Sequence, residues 1–435
     1  TITITGENGV GIYNTGTSNN SGTIRITGEN GIGVYNSNSG IFNLGGNIEI
    51  TDNSNSQDVN GNVGVYSEGG TINFNSKGMT TLITGKGNSV AGVYTKTYDT
   101  NLTGNVNITG TKVGLVSNDV TTKVDGILEY NGEGFALYTI GDKGKIEFTQ
   151  GSTLSLGENA YGFDIVDTSK EGNIKQSINF NGATIEIKSN DVTLFNINGN
   201  GTEYSSKDIE SGNSNLPGEE YLEQFVGQIG EIKNSHEING KTITYDGYKI
   251  ASIENGKILL NSTSGNNEEF LKKYKFQKSI VNMSTDTTLN LTNDDSSTYF
   301  SGEVIGIGIS SNKSKDVEKE TVLTDTQINI DGSDNENGIT LVANRIDTAP
   351  TISEENSNTK STIGAYIDYG IINLTNGNIV VENNPELKIE DHTNDNGIGI
   401  YSKNGSEVTV NENSSITVYG NNGIGIYGEA TKDGK

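Results

Sequence analysis

The chain has 435 residues, of which 31% are hydrophobic and 58 are glycine, and its formal net charge is −26. A surface with this negative charge would repel nucleic acid and anionic lipid headgroups, which excludes both as partners. Cysteine is absent, which excludes disulfides and thiolate chemistry, and no apolar run is long enough to span a membrane as a helix. The composition indicates an exported bacterial protein.

A motif of alternating glycine and aliphatic residues, ending in tyrosine, recurs along the chain. It reads NGVGIYN at 8–14, NGIGVYN at 30–36 and GNVGVYS at 61–67, and it returns as NGIGIYS at 396–402 and NGIGIYG at 422–428. Intervals of 22, 31, 28 and 22 residues separate its first five central glycines, which are Gly11, Gly33, Gly64, Gly92 and Gly114. Such a recurrence indicates a stacked repeat architecture.

Each period contains three short segments in which apolar and polar residues alternate, as in TIRIT (23–27), NGIGVY (30–35) and GTINF (70–74). This period of two is typical of half-buried strands, and the glycine and asparagine between the segments favour turns. We therefore predict an all-β fold, a right-handed parallel β-helix with three strands per coil. Its stacked inward side chains include Ile2, Ile4, Ile24, Ile26, Ile72 and Phe74.

The central glycine and the tyrosine of each motif should face outward, on the side opposite Ile32 and Val34. This predicts an external tyrosine file consisting of Tyr13, Tyr35, Tyr66, Tyr94, Tyr401 and Tyr427. Surface tyrosines in a row can bind sugar faces or an aromatic partner, or they can cover a sheet and pack across its strands. The sequence leaves both roles open.

The repeat disappears between about residues 198 and 300. Helical patterns lie at 217–226 and 268–278, and the segment 241–253 resembles a β-hairpin that turns at an Asp-Gly pair. We predict β-helix coils over residues 1–197 and 301–435, and an α+β insertion or side domain over 198–300. Insertions on solenoids are favoured places for binding, although a purely structural side domain fits the same pattern.

Aromatic and basic residues of this segment are the candidate binding residues. The lysines form the one basic cluster of an acidic chain, which could meet an anionic partner or could simply be a solvated helix face. The candidates are Tyr221, Phe225, Tyr245, Tyr248, Phe270, Lys272, Lys273, Tyr274 and Lys275.

We predict no catalytic residue, no metal site and no cofactor. The two histidines, His236 and His392, stand outside any triad or metal-binding pattern. Many β-helix proteins are polysaccharide lyases or hydrolases, which need paired carboxylates. The outward acids Glu49, Glu147 and Glu186 lie on separate coils with no evident acidic partner, so an enzyme is the less favoured alternative.

The repeated NGIGIY and NGVGIY coils, with TINF and TITI strands, resemble the passengers of large fusobacterial outer-membrane autotransporter adhesins. These type Va proteins include the arginine-inhibitable and galactose-inhibitable adhesins. The resemblance covers 1–197 and 303–435 and leaves the segment between them unmatched. It implies a long β-helical passenger at the bacterial cell surface, held at the outer membrane by a C-terminal barrel. The ends of the chain, which fall within repeats, indicate a piece of such a protein.

The resemblance implies binding to other bacteria, or to receptors or glycans on host cells, by a monomeric and non-enzymatic passenger that is not itself inserted in the membrane. A passive stalk that carries a binding tip located elsewhere is the alternative.

Overall fold

The structure, a computed structural model, describes residues 1–51, 61–74, 80–86, 89–165, 177–210, 229–291, 304–311, 324–345, 361–383, 396–419 and 422–429. Within these residues the chain is built almost entirely of short strands, with two helices.

The strands up to residue 198 are β1 (Ile2–Ile4), β2 (Val10–Asn14), β3 (Thr17–Asn20), β4 (Ile24–Ile26), β5 (Ile32–Asn36), β6 (Ile41–Leu44), β7 (Ile48–Ile50), β8 (Asn62–Ser67), β9 (Gly70–Phe74), β10 (Thr81–Thr84), β11 (Ser89–Lys96), β12 (Thr100–Thr109), β13 (Val113–Asn118), β14 (Thr121–Asn131), β15 (Phe135–Ile140), β16 (Lys145–Phe148), β17 (Thr153–Leu156), β18 (Tyr161–Ile165), β19 (Ile178–Asn179), β20 (Ala183–Ile187) and β21 (Thr193–Asn198).

The later elements are β22 (Glu203–Ser205), α1 (Lys207–Glu210), β23 (Ile229–Lys233), β24 (Ser235–Ile238), β25 (Lys241–Thr244), β26 (Lys249–Glu254), β27 (Lys257–Leu260), α2 (Ser264–Lys273), β28 (Tyr274–Gln277), β29 (Ile280–Met283), β30 (Thr287–Leu291), β31 (Val304–Ser310), β32 (Gln327–Asp331), β33 (Ile339–Arg345), β34 (Ser361–Asp368), β35 (Ile371–Thr375), β36 (Gly377–Asn383), β37 (Asn396–Lys403), β38 (Glu407–Val410), β39 (Ser415–Val418) and β40 (Ile424–Glu429).

The chain divides into two compact units, Thr1–Asn196 with Tyr221–Tyr248, and Ile197–Glu220 with Lys249–Lys435. In the first unit three ladders of parallel strands run side by side. Their orders are β1-β4-β7-β10-β12-β14-β17-β20-β23, β2-β5-β8-β11-β13-β15-β18-β21, and β3-β6-β9-β12-β14-β16-β19. Each turn of the chain thus extends every ladder, with the long strands β12 and β14 each contributing to two of them. The prediction of a parallel β-helix with three strands per coil is confirmed.

The second unit repeats this plan. Its parallel ladders are β26-β28-β31-β34-β37-β40, β22-β27-β29-β32-β35-β38 and β30-β33-β36-β39. Several of these strands come from the segment 198–300, in which the motif is not visible. Among the described residues of that segment, the antiparallel pair β24–β25 and the helices α1 and α2 depart from the coil.

The hairpin of this segment differs from the one predicted. Strands β24 and β25 pair across the two-residue turn Asn239-Gly240, whose φ values are 52° and 76°, as a type I′ turn requires. The predicted hairpin over 241–253 is wrong, because β26 pairs in parallel with β28 instead. The sequence offers two turn-forming pairs, Asn239-Gly240 and Asp246-Gly247. The first closes the hairpin, because the strand that follows the second, β26, joins a coil ladder.

The inward side chains stack in register from coil to coil. Ile24 lies between Ile2 and Ile48 in its ladder, and Ile26 lies above Ile50. The predicted core residues Ile24, Ile26 and Ile72 are fully buried, and Phe74 is 3% exposed. Because each coil contacts only its neighbours, the core within each unit is a column and not a central cluster.

The central glycine of the motif faces this column, so the prediction that it faces outward is wrong. A Cβ on Gly33 would lie 2.6 Å from the carbonyl oxygen of Gly64 and 3.2 Å from Cγ2 of Ile48. The same approach recurs at Gly11, whose Cβ would lie 2.7 Å from the carbonyl oxygen of Gly33. Glycine is needed here because the backbone of the next coil and a core side chain occupy the space of a Cβ.

Helix α2 covers the edge of the ladder that starts at β30. Two alternate backbone N–H groups of that strand are bonded by helix side chains: Thr288 donates to Oγ of Ser264 at 2.6 Å, and Asn290 donates to Oε1 of Glu268 at 2.9 Å. An open strand edge would otherwise expose these groups. The helix ends at Lys273, five residues before the predicted end, because Tyr274 begins strand β28.

No helix in the described parts of the chain combines the length and the apolar character needed to cross a membrane.

Replacing Gly64 by valine should destabilise the first unit by about 2 kcal/mol or more, because its Cβ would lie 2.6 Å from the carbonyl oxygen of Gly92 and 2.9 Å from Cγ2 of Ile83. Denaturant unfolding measures the change. Gly16→Val is the matched control, since nothing lies within 4 Å of a Cβ there. Equal stability of the two variants would contradict the close-approach explanation.

Candidate functional site

The structure places two of the predicted binding residues in the core. Phe270 is fully buried and Tyr274 is 2% exposed, and their ring centroids are 4.6 Å apart. Both side chains pack under helix α2, so neither can contact a partner in this fold. Their assignment as binding residues is wrong because the apolar face of the helix covers the coil. Tyr221 and Phe225 lie outside the described residues.

The predicted basic cluster is largely compensated by acidic neighbours. Nζ of Lys272 lies 3.0 Å from Glu268, and Nζ of Lys273 lies 2.9 Å from Glu269, each pair one helical turn apart. Lys275 lies on strand β28 and is partly exposed. Ion pairs at this spacing are typical of a solvated helix face and reduce the attraction to an anionic partner.

A buried asparagine fixes helix α2 on its coil. The Asn267 side chain is fully buried. Its amide nitrogen donates at 2.9 Å to the hydroxyls of both Thr285 and Thr287, and its amide oxygen accepts from Ser206 at 2.6 Å. Helix α2 is therefore an integral part of the second unit.

The β24–β25 hairpin is the most exposed regular element of the segment. All four residues of β25 are exposed. Ile238, which pairs with Lys241, is 42% exposed, and Ile243, which pairs with His236, is 37% exposed. The two isoleucines lie on one face of the hairpin together with His236 and Lys241, since paired residues share a face and successive residues alternate between faces. The hairpin therefore presents two exposed isoleucines to solvent beside a lysine and a histidine.

Contacts at its base attach the hairpin to the first unit. Nε2 of His236 lies 2.7 Å from the carbonyl oxygen of Ile187, and the backbone N–H of Gly247 donates to Oδ1 of Asn190 at 3.0 Å. The predicted binding residues Tyr245 and Tyr248 lie at this base and are partly buried. Burial, and then the Asp246 carboxylate, raise the pKa of the Tyr248 hydroxyl. The ring centroid of Tyr245 lies 6.0 Å from that of His236, beside the exposed face.

Four tyrosines of the first unit stack on one another, which we call the N-terminal tyrosine file. Consecutive ring centroids from Tyr13 through Tyr35 and Tyr66 to Tyr94 are 4.9, 5.2 and 5.5 Å apart, with interplanar angles of 17°, 20° and 6°. Tyr13 is 64% exposed, and the other three are partly exposed. The predicted external position is confirmed for these four residues.

This stacking limits what the file can bind. Tyr35 and Tyr66 each have a neighbouring ring over both faces. A sugar that stacks on an aromatic ring needs an open face, and in the middle of the file mainly ring edges and hydroxyls meet solvent. The geometry favours packing between coils over sugar binding.

The tyrosine hydroxyls bond to the following coil. Tyr35 donates to the Glu68 carboxylate, and Tyr94 accepts from Nδ2 of Asn118 at 2.6 Å. Burial is the main cause that raises the pKa of Tyr35, and the bond to Glu68 and its negative charge add to it. Burial and the same carboxylate also raise the pKa of Tyr66. Both hydroxyls are held in the protonated form that packs and donates.

The corresponding tyrosines of the second unit, Tyr366, Tyr401 and Tyr427, form the C-terminal tyrosine file. Tyr401 was predicted to be external, but it is only 8% exposed, in a cluster with Ile363, Tyr366 and Ile398. Tyr427 is 41% exposed, as predicted. The rings are tilted by 46° and 49°, so this file lacks the parallel stacking of the first.

Sequence reasoning missed a polar file beside the tyrosines. Asn14 and Asn36, which directly follow Tyr13 and Tyr35, are buried, and Nδ2 of Asn14 donates to Oδ1 of Asn36 at 2.7 Å. Nδ2 of Asn36 also donates to the carbonyl oxygen of Gly69 at 2.8 Å, so the file binds the corner of the next coil. A small polar residue after the tyrosine in most copies of the motif was the available signal.

The outward carboxylates considered for catalysis are engaged in ion pairs. Oε2 of Glu49 lies 2.6 Å from Nη2 of Arg25, and Glu147 lies 2.6 Å from Nζ of Lys145. Glu186 lies between Lys188 and Lys233, at 3.8 and 3.7 Å. Among the residues whose placement is known, no three His, Cys, Asp or Glu side chains are grouped to hold a metal ion. His392 lies outside the described residues.

The fold and these surfaces define a parallel β-helical repeat protein. Searches with this chain matched no protein-family model, no curated protein and no solved structure.

Phe270→Ala should destabilise the second unit by about 3–5 kcal/mol, because it empties a fully buried position under helix α2. Thermal unfolding with circular dichroism measures the loss. Lys272→Ala in the same helix should change stability by less than about 1 kcal/mol, as is usual for an exposed ion pair. A small effect of both variants would show that the helix does not hold the coil.

Stability should fall as the pH rises above about 10, where tyrosines of the unfolded chain ionise. Because folding raises the pKa of Tyr35 and Tyr66, the unfolded state releases its protons first, so their contribution is complete below that pH and is lost above it. Midpoints of urea unfolding between pH 8 and 12 measure this loss. Tyr35→Phe and Glu68→Gln should each make it shallower, and an unchanged slope in both would contradict the assignment.

Proposed function

We propose that this chain is a β-helical passenger segment of a bacterial surface adhesin. It binds partner bacteria, or receptors or glycans of host cells, without catalysing a reaction. The coils act as a rigid stalk, and the β24–β25 hairpin is the docking element. The observation that carries this proposal is the hairpin itself, an exposed element that departs from the coils and carries Ile238 and Ile243 on one face.

The surface of the coils supports a stalk role. Outward asparagines form ladders in which each amide bonds to the one before it, as Asn43 does to Asn19 and Asn73 does to Asn43, both at 2.6 Å. The second unit contains the same kind of asparagine ladder, in which Asn373 donates to Asn329 at 2.9 Å. Side chains that are satisfied by their neighbours stiffen the coils and bind little else.

The hairpin supports a binding role because leaving its isoleucines exposed to water costs free energy when no partner covers them. An isolated two-stranded hairpin is marginally stable, and exposed isoleucines gain free energy when they are covered. The net charge of −26 favours partners that are basic or uncharged at the contact, since acidic surfaces would be repelled.

A variant in which a Gly-Ser link replaces residues 235–244 should lose adhesion to partner bacteria and host cells while its coils stay folded. Binding of the purified chain to cells and to a glycan array, with circular dichroism as the folding check, measures this. The double variant Ile238→Ser with Ile243→Ser should reproduce the loss. The matched control Asn43→Ser changes a partly exposed coil residue and should bind normally.

Other outcomes select the alternatives. If the intact chain binds no cell and no glycan, it is a passive stalk whose binding tip lies elsewhere. If the intact chain binds and the hairpin variants bind equally well, the hairpin is not the docking element. Release of oligosaccharides from a polysaccharide panel would identify an enzyme instead.

A further inference from the structure

The N-terminal tyrosine file places oxidisable rings of successive coils in direct contact. Its four rings are nearly parallel, with neighbouring centroids 4.9 to 5.5 Å apart. The chain has no tryptophan and no cysteine, which are the other side chains that most readily lose one electron. One-electron oxidation of this protein is therefore directed to tyrosine.

We propose that the N-terminal tyrosine file is a site of oxidative modification, at which a haem-peroxidase-type oxidant with hydrogen peroxide joins tyrosines of neighbouring coils as dityrosine. The modification does not depend on the adhesive role proposed above.

The reaction balances as follows. Each of two neighbouring phenols loses one electron and its hydroxyl proton, which leaves two phenoxyl radicals. A carbon–carbon bond forms between their ortho positions, and the two ring hydrogens at these carbons move to the oxygens, which restores two phenols. The two electrons and two protons reduce one hydrogen peroxide to two waters.

The surroundings of the file favour this chemistry. Tyr13 is 64% exposed, so an oxidant has direct access to the end of the stack. The hydroxyl of Tyr35 donates to the Glu68 carboxylate, which can take up the phenolic proton as the electron leaves. The strands on both sides hold the rings in register, since Tyr13 pairs with Tyr35 and Tyr35 pairs with Tyr66. A radical on one ring thus has a single preferred partner on each side.

The C-terminal tyrosine file is a comparison within the same molecule. Its rings are tilted by 46° and 49°, and Tyr366 and Tyr401 are 2% and 8% exposed. The tilt opposes coupling, and the burial of Tyr366 and Tyr401 opposes their direct oxidation, which leaves Tyr427, 41% exposed, as the accessible ring of this file. A cross-link in the N-terminal file would join consecutive coils covalently and resist their separation, as other cross-links restrict the unfolded chain.

The test treats the full chain at low concentration with hydrogen peroxide and a haem peroxidase, followed by peptide mapping with mass spectrometry and dityrosine fluorescence. We expect intramolecular cross-links between Tyr13 and Tyr35, Tyr35 and Tyr66, and Tyr66 and Tyr94. Tyr35→Phe keeps the ring stack and should abolish the first two while the third remains. Tyr98→Phe, at a 51% exposed tyrosine outside the stack, should leave all three.

The oxidised chain should also show a higher unfolding temperature than the untreated chain, and Tyr35→Phe should reduce the gain. The proposal is overturned if oxidation consumes Tyr98 without cross-linking the file, if the dityrosine joins different molecules, or if Tyr35→Phe leaves the pattern unchanged. Cross-linking of equal yield in the C-terminal file would also overturn it, since the stacking would then not matter.

Discussion

The close approach of successive coils at the motif glycine is the constraint on which the rest of the structure depends. Where a Cβ on Gly33 would stand, the carbonyl oxygen of Gly64 lies 2.6 Å away. In the second unit the corresponding distance from Gly364 to the carbonyl oxygen of Gly399 is 2.7 Å. Parallel strands at this separation keep every residue in register with its equivalent in the next coil. Inward isoleucines then stack as a column, and outward side chains form files.

The register between successive coils explains why so many surface side chains bond to one another. A residue type that recurs once per coil meets its own copy about 4.8 Å away, the distance between adjacent strands. Asparagine can both donate and accept at this spacing, and tyrosine can stack, so repeats of either type form continuous ladders. Ion pairs arise in the same way where Arg25 faces Glu49. The coils thus acquire a rigid and largely satisfied surface from simple repetition.

Helix α2 and the β24–β25 hairpin, in the described part of the segment between residues 198 and 300, break this regularity in different ways. Helix α2 turns Phe270 and Asn267 inward and uses Ser264 and Glu268 to cover a strand edge, so it serves the coil. The β24–β25 hairpin turns Ile238 and Ile243 outward. The distinction matters for function, since a side chain that closes the core is unavailable to a partner. It transfers the proposed docking role from the helix to the hairpin.

Repetition and alternation in the sequence determined the parallel β-helix, the inward isoleucine column and the stacking of Tyr13, Tyr35, Tyr66 and Tyr94. These features follow from local periodicity, which the chain carries in every coil. Only the tertiary structure decided that the motif glycine faces the core, that Phe270 and Tyr274 are buried, and that Asn239-Gly240 forms the hairpin turn in place of Asp246-Gly247. Each of these depends on which backbone and side chains of a neighbouring coil occupy the adjacent space, and residues distant in the sequence supply them.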